Sequence, residues 1–100
     1  MNNRKYDKRV EQLISKVVEL CSLYNAQEVV LFGSRAKDTA RERSDIDIAV
    51  SGVSAFDELQ EEIENIETLY TIDLVNLDDC RNFLLKEDIE LYGCKIYEKV

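Results

Sequence analysis

The chain has 100 residues, 45% of them apolar and 34% charged, with no proline and three glycines. That is the size of one domain, 1–100, with room for a core, and it excludes a disordered chain or one built on long linkers. The net charge of −8 argues against direct nucleic-acid binding, where phosphate neutralisation supplies most of the affinity, and against an anionic membrane surface.

Tyr6, Val10, Leu13, Ile14, Val17, Cys21 and Tyr24 recur at steps of three and four, which predicts an amphipathic helix over about residues 3–25. Asn25, which tolerates the left-handed conformation, is placed to end it. Glu28 to Phe32 is short, apolar and β-branched, a buried strand. Gly33-Ser34 turns the chain, Ser34 is placed to cap a short helix through Arg35, Ala36 and Lys37, and residues 38–44 read as an exposed polar loop. From Ser44 to Val50 the residues alternate: Ile46, Ile48 and Val50 face a core, and Asp45, Asp47 and Ala49 face the other way.

Gly52 marks a turn. Phe56, Leu59, Ile63 and Ile66 then lie at helical spacing, with acidic residues covering the outer face. Leu69 to Leu77 reads as a third strand whose only charge is Asp73. Asp78 or Asp79 is placed to cap a helix from Cys80 through Leu91, with Phe83, Leu84 and Ile89 inward, and Gly93 ends it. Cys94 to Tyr97 forms a last, edge strand. The order α, β, short α, β, α, β, α, β predicts an α/β (α+β) domain, a small mixed sheet with helices packed on it.

Cys21, Cys80 and Cys94 are odd in number and form no C-x-x-C, so reduced thiols and a cytoplasmic location are expected. No apolar run approaches the length of a membrane span. With no histidine in the chain, histidine-based nucleophile activation and histidine metal ligation are excluded. Neither the Walker A nor the G-x-G-x-x-G phosphate motif is present.

Any general base must then be a carboxylate or a lysine. Asp45 and Asp47, two apart on a strand, point to one side about 6.6 Å apart along the backbone. Carboxylates converging to ~4 Å repel by about 4 kcal/mol at an effective dielectric of 20, more than the roughly 1.5–3 kcal/mol gained by burying an isoleucine. A divalent cation would relieve that repulsion, and oxygen-only ligands suit Mg²⁺ or Mn²⁺ with substrate phosphate completing the shell. Asp73 completes such a site only if its strand lies beside that of Asp45 and Asp47. At Gly33-Ser34 the missing Cβ lets backbone N–H groups approach a phosphate, and the start of a helix adds donors. Between the two motifs, four cations (Arg35, Lys37, Arg41, Arg43) face two anions (Asp38, Glu42). Arg35 and Lys37, nearest the turn, are the candidates for phosphate contact.

Gly33-Ser34, ten residues, Asp45-Ile46-Asp47 and then Asp73 in an apolar strand resembles the DNA polymerase β-type nucleotidyltransferase superfamily. GSRAKDTARERSDIDIAV and the C-terminal LLKEDIELYGCKIYE are similar to its minimal nucleotidyltransferases, the MNT proteins, over nearly the whole chain. The resemblance implies the polymerase β-type fold and transfer of a nucleoside monophosphate from ATP or another NTP to a hydroxyl. Asp45 and Asp47 would bind both metal ions, and Asp73 would hold the catalytic one and help deprotonate the acceptor. Such proteins are commonly paired with an all-helical HEPN protein, and several are antitoxins that attach AMP to a tyrosine of that partner. The family usually has Ala-Arg-Gly where this chain has Ala36-Lys37-Asp38; Lys37 keeps the charge, while Asp38 leaves open a binding module that assembles with its partner without catalysis. Homo-oligomerisation is also left open.

Overall fold

The computed structural model describes residues 8–33, 35–36 and 45–100. The start of the first helix expected over 3–7, the Ser34 cap, Lys37 and the loop 38–44 lie outside the described residues. α1 spans Lys8–Leu23, β1 Glu28–Phe32, β2 Ile46–Ser51, α2 Phe56–Glu64, β3 Ile72–Asn76, α3 Phe83–Tyr92 and β4 Cys94–Glu98. The strands form one sheet in the order β3-β2-β1-β4. β1 is antiparallel to both β2 and β4, whereas β2 and β3 run parallel. A parallel pair needs a crossover, and α2 supplies it. The mixed sheet expected from the sequence is therefore present.

α1 ends as its sequence dictates. Asn25 takes φ +68°, its N–H donates to the Ser22 carbonyl at 3.0 Å, and the Ala26 N–H reaches back to Cys21 at 3.1 Å. That pair of bonds closes a helix through a left-handed residue. Val10, Leu13, Val17 and Cys21 form its buried stripe.

The two faces of the sheet differ. One carries Val29, Leu31, Ile46, Ile48, Val50 and Leu74, packed with α1 and with Leu59 and Ile63 of α2 into the main core. The other carries Val30, Phe32 and Ala49, covered by Ile89 and Leu85 of α3. The strand alternation expected for β2 holds, with Ile46, Ile48 and Val50 fully buried.

The last helix departs from expectation. Leu77–Asp79 forms a single 3₁₀ turn, and α3 begins at Phe83, where the Asn82 side chain accepts from the Leu85 N–H at 3.1 Å. Leu85 and Ile89, four apart on α3, face the sheet. Phe83 and Leu84, expected inward, are 84% and 79% exposed. Asp78 accepts the Gly52 N–H at 2.7 Å instead of capping a long helix, tying the β2–α2 turn to the end of β3. Among the described residues no helix is long and apolar enough to cross a membrane.

Candidate active site

The register of the sheet decides where the aspartates meet. Phe32 of β1 pairs with Asp47 of β2, and Asp47 pairs with Asp73 of β3. These three side chains share a row and a face, the face that α3 covers only in part. Neighbouring strands lie about 4.8 Å apart, so Asp47 and Asp73 are side by side. Asp45 immediately precedes β2. Being two residues from Asp47, it belongs to the same side, at the rim.

The positions differ in environment. Asp47 is half-buried on a central strand, Asp73 is exposed on an edge strand, and Asp45 is exposed. Burial, then the neighbouring charges of Asp73 and Asp45, hold the Asp47 carboxyl above its ordinary pKa. Negative charge is thus concentrated on one row.

Gly33 closes this row at the end of β1. Its φ is +77° and its α-carbon faces the Asp47 side chain: an added Cβ would run into Asp47 Oδ2 and come within 3.1 Å of Cγ. The position needs glycine for its backbone and for its space. Two residues on, Arg35 is 5% exposed, the only charged residue among the described ones to be buried. Its guanidinium carbon lies 5.5 Å from the centre of the Tyr70 ring. Ser34 and Lys37, also expected at the phosphate turn, lie outside the described residues.

The donor set is all oxygen, which suits a hard divalent cation. Burial is the main reason the Asp47 pKa is raised, and the charges of Asp73 and Asp45 that add to it are what a cation would relieve, so the residues fit such an ion. Among the described residues the carboxylates are not gathered into a finished cage; substrate oxygens would have to complete the shell. Sequence reasoning missed Tyr70, whose only local signal is an aromatic residue just ahead of a strand.

Residues 15–99 match the family described as Polymerase beta, Nucleotidyltransferase. No curated protein matches the chain. Among solved structures, a toxin-antitoxin with AMP-PNP is 27% identical, with a TM-score of 0.67, over 85% of this chain and 73% of the other. A double mutant of the MntA-HpeT toxin-antitoxin is 22% identical at a TM-score of 0.69 over the same shares, and a single mutant of it is 24% identical at 0.65 over 86% and 72%. The last two likenesses speak for the fold alone. The match across residues 15–99, on a sheet that sets Asp47 beside Asp73 and against a glycine turn, places the chain in the polymerase beta nucleotidyltransferase family.

Proposed function

We propose that the chain transfers AMP from ATP to a hydroxyl of a partner protein, a tyrosine of a HEPN-type toxin, and acts as its antitoxin. The observation that carries this reading is the pair Asp47–Asp73, in register, with Gly33 against the Asp47 side chain. Likeness to a 27%-identical toxin-antitoxin structure with AMP-PNP supports the nucleotide and the kind of partner.

Each residue has a role in this proposal. Gly33 keeps the end of β1 open to phosphate oxygens, Ser34 and Lys37 supply donors and positive charge, and Arg35, buried against Tyr70, adds positive charge from behind the turn. Asp45, Asp47 and Asp73 hold Mg²⁺ or Mn²⁺, which when bound would neutralise triphosphate charge and favour ionisation of the acceptor hydroxyl. Asp47, half-buried on a central strand, suits a fixed ligand. Asp73, exposed on the edge strand, is open to an incoming protein and takes the acceptor proton. The acceptor oxygen then bonds to the α-phosphorus as pyrophosphate leaves.

The test is incubation with MgATP and the protein encoded by the neighbouring gene, followed by intact-mass measurement. Addition of one or more AMP units, lost with Asp73→Asn, is expected. A stable complex with unchanged mass would sink the catalytic reading and favour the non-catalytic binding module to which Asp38 points.

A further inference from the structure

Buried arginine is costly, because its charge leaves water and its donors need partners. Arg35 lies two residues beyond Gly33, and its guanidinium rests over Tyr70 at 5.5 Å. Tyr70 stands just ahead of β3, and its neighbour Thr71 accepts the Ile46 N–H at 2.9 Å, the bond that opens the pairing of β2 with β3. The Tyr70 N–H is itself held by Thr68 Oγ1 at 3.2 Å. Ala36, next to Arg35, and Ile72, two beyond Tyr70, both pack against the main core. The Arg35–Tyr70 pair thus bridges two segments at the edge of the core, the one after Gly33 and the one leading to Asp73.

We propose that Tyr70 is a positioning residue: by holding Arg35 on its ring it locks the turn after Gly33 to the strand bearing Asp73. This rests on the reading of the row as a nucleotide site, and it adds a residue that touches neither metal nor phosphate. A planar guanidinium stacks on an aromatic face where lysine or a non-aromatic partner cannot match it. The ring, not the hydroxyl, does the holding.

The test compares Tyr70→Phe with Tyr70→Leu, both of which keep an apolar side chain at this position. MgATP affinity is measured by titration calorimetry, with the Arg35 Nε–H signal and amide exchange at Gly33 followed by NMR without nucleotide. Tyr70→Leu is expected to weaken MgATP roughly three- to thirty-fold, shift the Arg35 signal and speed exchange at Gly33. Tyr70→Phe is expected to stay within about twofold of wild type, since the aromatic face remains. Unchanged affinity in Tyr70→Leu, or equal loss in both variants, overturns the proposal. If wild type binds no MgATP, the nucleotide reading fails. The positioning role is then decided by Gly33 exchange, and exchange unaltered by Tyr70→Leu rejects it.

Discussion

Gly33→Ala probes the packing of the candidate site most directly. At φ +77° an alanine costs about 1–2 kcal/mol for the left-handed backbone alone. Its Cβ would also run into Asp47 Oδ2 and sit 3.1 Å from Cγ, so the Asp47 carboxylate must move. Overpacking of that kind adds about 1–3 kcal/mol. The expected total is about 2–5 kcal/mol, a fall in Tm of roughly 10 °C or more for a domain of this size. The two contributions separate in a double-mutant cycle. In an Asp47→Ala background the carboxylate is gone and only the Cβ contact at 3.3 Å remains, so the cost of Gly33→Ala should fall toward the about 1–2 kcal/mol of the backbone alone. The assay is urea unfolding in EDTA by circular dichroism, compared at constant m. Equal costs in both backgrounds would refute the packing of Gly33 on Asp47. A cost below about 0.5 kcal/mol in wild type would refute the left-handed backbone.

Asp45→Asn and Asp47→Asn each remove a charge from a crowded row. Both should raise Tm in EDTA and abolish the Tm increase produced by MgATP; a variant that still gains stability from MgATP as wild type does is not a needed ligand. Burial pushes the Cys21 thiol up from 9.0 to about 11, so the native state keeps its proton while the unfolded state loses it. The stability from this group is complete below about pH 9 and falls as pH rises toward 11, by up to about 1.4 kcal/mol per pH unit. Cys21→Ala should be less stable at neutral pH but lose less between pH 9 and 11; an unchanged alkaline slope would contradict the assignment. Leu59→Ala, at a fully buried site, should cost about 2–5 kcal/mol. Leu84→Ala, at 79% exposure, should change stability by less than about 0.5 kcal/mol, and a core-sized loss there would show that α3 is turned differently from its described phase.

Local rules are readable wherever one residue type has one use. The isoleucines and aspartates of β2 alternate because a strand places successive side chains on opposite faces, so their separation into core and site was legible before any fold was known. Asn25 was legible as a helix end because few residues other than glycine accept a positive φ. The α3 boundary was not. Asp78, Asp79 and Asn82 are all competent caps, and the choice fell to Asn82 because Asp78 is taken by the Gly52 N–H across the fold. Phe83 and Leu84 lie about 200° and 100° round the helix from Leu85, off the Leu85–Ile89 stripe that packs on the sheet.

For the site, the sequence by itself determined the donor types: oxygen ligands without histidine, and a glycine whose backbone can take a positive φ. That is local, because donor type and backbone freedom belong to single residues. The tertiary structure alone decided which carboxylates meet and what holds the turn. Asp73 stands beside Asp47 because β2 and β3 pair in parallel with that register, and a slip of one residue would send it to the other face. Arg35 stacks on Tyr70 because two segments far apart in the chain emerge at the same end of the sheet. Such contacts depend on how distant strands pair, and no local pattern around either residue specifies that pairing.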